Sequence, residues 1–442
     1  MPKAPALPDD PSAASRDAQS VSRAPQVPLI LDASLVEVLD AIRLQGAGSR
    51  QDIVLLTGLG RNVVAQRVGE LIAAGLVTDA GPGRSTGGRP PRQLQFRAEA
   101  GHLLVGFIGA TSLDVAVVDA QAGISARRSE PIDVADGPDV VLRRLEALFD
   151  EVRADGRPAG ALWGIGIGLP GPVEFSTGRP VAPPIMPGWD RYPVRDRISR
   201  RFGVPVWVDN DVNLLALGEW RHGEALGHSN VIFVKIGTGI GAGLISDGQL
   251  HRGTQGSAGD VGHVQVTEDP TVVCRCGNTG CLEAKVGGGA LGRDAERAAR
   301  DGHSPWLAEA LERSGRLTAR DLSDGAAHGD PASIEMLQAC GQYVGQMLAA
   351  MVNFFNPSLI VVGGDVAKAG DLLLASLRQV VYGRSLPLAT RTLDVRRTSL
   401  GDDGGVLGAA TMVLDELFSG ALLPLWIGRR PSVLLEPAAV SG

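Results

Sequence analysis

The chain is 442 residues long, with 59 glycines, 28 prolines, 44% hydrophobic residues, 4% aromatics and a formal net charge of −7. That length holds two or three domains, and a glycine-rich, aliphatic mix suits α/β architecture with tight turns. The composition excludes a protein that binds polyanions over its whole surface, a membrane-spanning chain (no apolar run reaches ~18 residues) and a disulfide scaffold, since 4 cysteines serve the whole chain.

Residues 1–27 are rich in Pro, Ala, Ser and Asp without periodicity, and are expected to be a disordered tail. Residues 28–97 read as a winged helix-turn-helix. Ser34-x-x-Glu37 forms a capping-box pattern ahead of Leu35, Val38, Leu39 and Ile42 at helical spacing. Ser49-x-x-Asp52 opens a second helix, and Thr57-Gly-Leu-Gly60 makes a turn. A third helix runs from about Arg61 to Ala74 and stops at Gly75. Leu76–Thr78 and Gln93–Phe96 read as strands flanking a Gly-Arg-Pro loop.

The third helix is the natural reader of a major groove. Val63, Val64, Val68, Leu71 and Ile72 read as its buried stripe. Arg61, Asn62, Gln66 and Arg67 then face outward, and these residue types bond base edges and phosphates. Arg84, Arg89 and Arg92 lie among glycines and prolines, a narrow cationic segment suited to a minor groove. Small modules of this kind also bind proteins; the local excess of arginine over an acidic background favours DNA. Gly60 is a weaker cap for the reading helix than Ser or Thr, by a few tenths of a kcal/mol.

Residues 98–419 change pattern. Strands ending in small-residue turns recur at His102–Thr111, Ser112–Asp119, Trp163–Gly171, Val206–Asp211, Val231–Gly243 and Leu359–Asp365, with an amphipathic helix from Pro138 to Val152. Two halves, each with a strand and a glycine turn, predict a duplicated α/β domain with a cleft between them. Residues 420–442 are short and Pro-interrupted, and are expected to be a loose C-terminal tail.

Within this domain, Gly-Asp-Val-Gly-His263 precedes Cys274-Arg-Cys276-Gly-Asn-Thr-Gly-Cys281-Leu-Glu283. One His and three Cys supply the N/S ligands of a closed, tetrahedral structural zinc site. A disulfide framework fits less well, because the N-terminus shows no apolar run that would serve as a signal peptide. The close pair is C-x-C, so a redox C-x-x-C is absent. Cys340 stands alone and reads as a small buried hydrophobe. A reducing cytoplasm fits these features best.

These motifs together resemble the ROK family of repressors and sugar kinases, within the actin-like ATPase superfamily. The resemblance rests on Leu-Pro-Gly-Pro172, Val-Asp-Asn-Asp211, Gly-Thr-Gly-Ile-Gly-Ala-Gly243, Ala-Gly-Asp-Val-Gly-His263, the three cysteines and Thr-Gly-Gly-Arg-Pro-Pro91. It implies a two-lobed, RNase H-like sugar-kinase fold, a homodimer or homotetramer, and zinc on His263, Cys274, Cys276 and Cys281. Sugar contacts are implied at Asn210, Asp211, Asp260, His263 and Glu283, with Asp260 where the kinases carry Glu. Nucleotide-loop positions are implied at Gly109, Thr111, Gly237, Thr238, Gly239, Gly363 and Gly364.

Phosphoryl transfer makes demands that the residues can be tested against. Asp211 is the candidate base for a sugar hydroxyl. The first phosphate loop, however, has Phe107 where the family places a metal-associated Asp, and an aromatic ring cannot organise hydrated Mg²⁺. The expectation is a regulator that has lost kinase activity: a repressor of carbohydrate genes with operator DNA and a small sugar or sugar phosphate as partners. The alternative is an ATP-dependent, glucokinase-like enzyme.

Overall fold

A computed structural model describes residues 33–82 and 92–428. The expected 1–27 tail, wing residues Arg84 and Arg89, and residues 429–442 lie outside the described residues.

Three helices, α1 (Ala33–Arg43), α2 (Arg50–Thr57) and α3 (Arg61–Ala73), precede an antiparallel pair, β1 (Val77–Pro82) and β2 (Arg92–Phe96). The start of α2 follows its sequence: Ser49 Oγ accepts the Asp52 N–H at 3.2 Å. Gly60 precedes α3 with no side-chain cap. The start of α1 departs from expectation. The helix begins at Ala33, so Ser34 lies inside it, and its hydroxyl accepts Arg67 Nε at 2.9 Å instead of capping. Val64, Val68 and Leu71 are buried with Leu35, Val38 and Leu39, as the helical period requires. Val63, by contrast, is 38% exposed and outside the stripe.

Two five-stranded mixed sheets follow, and they repeat one topology. The first half contains β3 (Gly101–Ile108), β4 (Ser112–Asp119), β5 (Ile124–Pro131), α4 (Pro138–Gly156), β6 (Ala161–Leu169), the short pair β7 (Val173–Glu174) and β8 (Arg179–Pro180), α5 (Val194–Phe202), β9 (Val206–Asn210) and α6 (Asp211–His222). Its sheet order is β5-β4-β3-β6-β9, antiparallel through β3 and parallel beyond it.

The second half contains β10 (Val231–Ile236), β11 (Ile240–Ser246), β12 (Gln249–Leu250), α7 (Leu282–Val286), α8 (Gly288–Arg300), α9 (Pro305–Ser314), α10 (Ala319–Ala327), α11 (Pro331–Phe355), β13 (Leu359–Gly363), α12 (Asp371–Arg384), α13 (Pro387–Thr390), β14 (Asp394–Arg397), α14 (Asp403–Leu417) and α15 (Leu423–Gly428). The order β12-β11-β10-β13-β14 has the same senses. The duplication expected from the strand-and-glycine repeats is therefore present as two matching sheets. Central strands such as β13 are buried at every residue, because a parallel strand covered on both faces must be apolar throughout. Cys340 is fully buried on α11, as its surroundings predicted.

The helix that follows the last strand of each half, α6 and α14, packs against its counterpart at backbone distance. A Cβ added to Gly408 would lie 1.7 Å from the Leu214 carbonyl oxygen, and one added to Gly218 would lie 2.2 Å from that of Gly404. Only glycine permits this approach.

The N-terminal module is not loosely tethered. Its core is continuous with the first sheet and α14. Phe96 meets Phe418 edge-on at 6.1 Å, and Arg43 lies over Phe418 while reaching Asp415 at 3.4 Å. The expected loose tail from residue 420 begins instead as α15, with Leu423 and Trp426 buried. Trp426 packs edge-on against Trp163 at 4.9 Å and against Phe418 at 6.0 Å, and that aromatic burial outweighs the local proline.

Candidate functional site

A cavity of about 600 Å³ opens between the halves. It lies at the carboxyl ends of the parallel strands, where loops diverge and leave room for a ligand. β3 delivers Gly109 and Thr111, β9 delivers Asn210 and Asp211, and β10 delivers Gly237, Thr238 and Gly239. The ends of β13 and β14 supply Gly364 and Arg397. Asp260, His263 and Glu283 complete the lining, with Glu283 beside the Gly237–Gly239 turn. The residues expected to contact sugar thus meet in one cleft, together with most of the expected nucleotide-loop residues. Gly363 is the last residue of β13 and packs on Phe233, behind the wall.

The cysteine loop sits beside that lining. One donor atom from each of His263, Cys274, Cys276 and Cys281 falls within 4.8 Å of the others. Ligands on a common tetrahedral centre at zinc distances lie about 3.8 Å apart for S···S and about 3.6 Å for N···S. The observed Cys276–Cys281 sulfur separation is 3.7 Å, and Cys274 Sγ lies 3.5 Å from His263 Nδ1. Burial, and then the neighbouring thiols, push the Cys281 thiol up to about 12. A cation among three thiolates reverses that penalty, so the donor set fits a metal.

The loop also aims side chains at the cleft. Cys281 stands at the N-terminus of α7, and two residues on, Glu283 accepts the Ile240 N–H at 3.1 Å. His263 turns Nδ1 toward the sulfurs, while Nε2 lies 3.7 Å from Asp260 Oδ1, too far for a hydrogen bond. The same ring can therefore serve metal and ligand through different nitrogens.

At the junction of β9 and α6 the polar groups are tightly bound. Asn210 caps α6, accepting the Val212 N–H at 2.9 Å and donating to the Gly171 carbonyl at 2.9 Å. Asp209, buried behind it, accepts from Arg252 at 2.7 Å and from Asn213 at 2.9 Å. Asp211 is 3% exposed, and Lys235 of β10 donates to it, Nζ to Oδ2, at 2.5 Å. The lysine stem runs beside the second glycine turn: a Cβ at Gly237 would sit 3.3 Å from Lys235 Cε. A general base must offer a free lone pair to the hydroxyl it deprotonates. Here an ammonium holds one of the two carboxylate oxygens, Oδ2, and withdrawing it would leave a buried carboxylate uncompensated.

Phe107 stands near the end of β3, where the family resemblance implies an Asp. Its ring packs on the N-terminal turn of α14, where a Cβ at Gly405 would fall 2.5 Å away, and against Gly168 of β6.

The ROK family model matches residues 69–416. The chain belongs to the ROK family. Among curated relatives, a glucokinase of Halalkalibacterium halodurans is 32% identical over 307 residues, 69% of this chain and 93% of its own length. A xylose repressor of Caldicellulosiruptor bescii is 30% identical over 377 residues, 84% of this chain and 92% of its own. Among solved structures, a ROK family transcriptional regulator, a homolog of the E. coli MLC protein, aligns with a TM-score of 0.78 at 26% identity, covering 91% of this chain and all of that one. A ROK glucokinase of Streptomyces griseus in complex with glucose and AMPPNP aligns at 0.60 and 28% identity, over 70% of this chain and 98% of its own. The two-lobed, actin-like sugar-kinase fold is therefore that of this ROK protein. No helix among the described residues is long and apolar enough to cross a membrane.

In this ROK chain, Lys235 is the residue that reading the sequence missed. Asp211 and Lys235 are 24 positions apart, and nothing local to either signals the pair. The sequence pointed to Phe107; the structure adds the Lys235–Asp211 pair. Phe107→Asp alone is accordingly expected to leave sugar-dependent ATP turnover at background. Phe107→Asp combined with Lys235→Ser is the smallest change that frees both positions. A coupled ADP-release assay over a sugar panel checks this, and robust turnover by the single variant would show that Lys235 does not block the base.

The expected DNA contacts are differently placed. Arg61, Asn62 and Gln66 are exposed along α3, with Gln66 donating to Glu70 at 2.9 Å. Arg67 is held by Ser34 and by Glu70 at 2.8 Å, with its side chain 20% exposed. Arg92 is exposed on β2 and pairs with Asp79 at 3.0 Å.

Proposed function

We propose that this protein is a sugar-responsive, DNA-binding transcriptional repressor of carbohydrate metabolism, acting in the cytoplasm, whose ROK domain binds a sugar effector and no longer transfers phosphate. The observation that carries the reading is the catalytic position itself. Its one candidate base is ion-paired to Lys235, and the metal-holding position is the Phe107 ring. Such a cleft retains ligand-binding groups while lacking the groups that phosphoryl transfer needs.

The N-terminal module supports the DNA half of the proposal. Three helices and a two-stranded hairpin, with a polar face of Arg61, Asn62 and Gln66 on the third helix, suit a winged helix-turn-helix spanning residues 28–97. A dimer would hold two such modules at the spacing of a palindromic operator. His263, Cys274, Cys276 and Cys281 would hold zinc, and Asn210, Asp211, Asp260, His263 and Glu283 would bind the sugar. Sugar must favour one arrangement of the halves over another for DNA affinity to change.

A mobility-shift titration on the protein's own upstream region, with and without a panel of sugars, tests the reading. Arg61→Ala and Asn62→Ala are each expected to weaken specific binding by about 1–3 kcal/mol, the range for a base contact. A second reading, an ATP-dependent sugar kinase, is favoured by the glucokinase relative and the intact Gly237–Thr238–Gly239 turn. Sugar-dependent ATP turnover with no DNA affinity at any site would select it.

A further inference from the structure

The half of the cleft beyond Asp211 retains hydrogen-bond donors although Phe107 has removed its metal position. Its wall carries the hydroxyls of Thr111, Ser112 and Thr238 and two glycine turns. Its carboxylates are already matched. Asp114 accepts Arg127 at 2.8 Å, and Lys368 reaches Asp402 at 3.1 Å and Asp365 at 3.2 Å. Arg397 lines the same wall and has no carboxylate partner among the described residues. Lys235 stands at the boundary, with its stem along Gly237 and its ammonium on Asp211. That pair cancels the charge with which Asp211 would repel an anion. It also leaves two of the three ammonium donors for a ligand.

We propose that this half of the cleft is a phosphomonoester subsite and that the effector is a phosphorylated sugar. Its phosphate meets Lys235 and the Gly237–Thr238–Gly239 turn, while its ring hydroxyls reach Asp260, His263 and Glu283. The inference rests on the sensor reading of the same cleft and narrows it. A monoester dianion is satisfied by one ammonium and a few oriented donors. A nucleotide triphosphate brings more charge and a Mg²⁺ ion, for which Phe107 leaves no ligand. Lys235 lies between the second phosphate turn and the position of the vestigial base, which is where the transferred phosphoryl group would stand beside a sugar hydroxyl. The geometry therefore suits the product of a sugar-phosphorylating reaction better than its substrate. The reaction class that supplies such an effector is phosphoryl transfer to a sugar hydroxyl.

The full-length protein is titrated calorimetrically with common aldohexoses and aldopentoses, with their terminal phosphates, and with inorganic phosphate. At low salt, at least one sugar phosphate is expected to bind ten-fold or more tightly than its parent sugar, with the advantage shrinking as salt is added. Lys235→Met is expected to erase that advantage, and Lys235→Arg to keep most of it, with circular dichroism melts confirming that both fold. Parent sugars that bind as tightly as their phosphates to the wild-type protein overturn the inference and leave the sensor reading intact. A sugar-phosphate preference that survives in Lys235→Met overturns it as well. If neither sugars nor their phosphates bind or change DNA affinity, the sensor reading falls together with it.

Discussion

Cys276→Ser is expected to lower bound zinc from about one equivalent per chain to a small residue and to blunt the sugar response of DNA binding. Serine keeps the shape of the side chain but removes a soft thiolate from a four-donor set. The consequence reaches the cleft because the loop that gathers the sulfurs also carries groups that line it. His263 contributes Nδ1 to the cluster and presents Nε2 beside Asp260. Cys281 begins the helical turn that places Glu283 on the Ile240 N–H. Loss of a structural metal belongs with the larger single-site effects, on the order of 4 kcal/mol. The chain has more than one core, so the loss is read as a lowered first transition rather than a single unfolding free energy. Metal analysis after dialysis, thermal denaturation and a sugar titration followed by mobility shift measure the three parts separately. A variant with no bound metal and an undiminished sugar response would refute the clamp.

Gly408→Ala is expected to be the most damaging methyl addition in the molecule's centre. The new Cβ would lie 1.7 Å from the Leu214 carbonyl oxygen and 2.5 Å from its carbon, and both are backbone atoms of the facing helix. Rotamer changes cannot relieve such a clash; α6 and α14 must separate. Ordinary overpacking costs about 1–3 kcal/mol, and a backbone collision between two buried helices belongs at or above the upper end. Gly383→Ala is the control. Gly383 is also helical, on α12, but nothing lies within 4 Å of a Cβ there. That substitution is expected to stabilise by up to about 1 kcal/mol, because alanine is the better helix former. Urea denaturation of both variants makes the comparison, and equal midpoints would show that the contact is soft. The effect is expected to extend to function. The first turn of α6 holds Asp211, the first turn of α14 packs on Phe107, and the far end of α14 reaches Phe418 beneath the N-terminal module. Moving these helices apart disturbs the cleft and the seat of the head together.

Much of the site was legible because its chemistry is local. The spacing of Cys274, Cys276 and Cys281 marks a candidate metal loop, since a chain that short must bring its sulfurs near one point. Phe107 was readable as a departure because it stands where the resemblance implies a charged residue, near the end of a strand whose following turn is recognisable. The helices of the N-terminal module were visible in the 3.6-residue period of Val64, Val68 and Leu71, and in Ser49 as a cap. Where the reading failed, a distant partner had intervened. Ser34 looked like a cap, but its hydroxyl is taken by Arg67, 33 residues on. Residues 420–428 looked loose because proline and shortness are local signals, whereas Trp163 and Phe418, which bury Trp426, are not.

By itself, then, the sequence determined the class of domain, the order of its strands and turns, the histidine–cysteine spacing and the aromatic ring at position 107. Each of these is set by neighbours a few residues apart. Only the tertiary structure decided that Lys235 would fall on Asp211, that two glycine-bearing helices would touch backbone to backbone, and that the end of α14 would seat the head. Those contacts join segments from 24 to more than 300 residues apart. They arise when two sheets of the same topology close on one cleft, a condition to which a short-range pattern is blind.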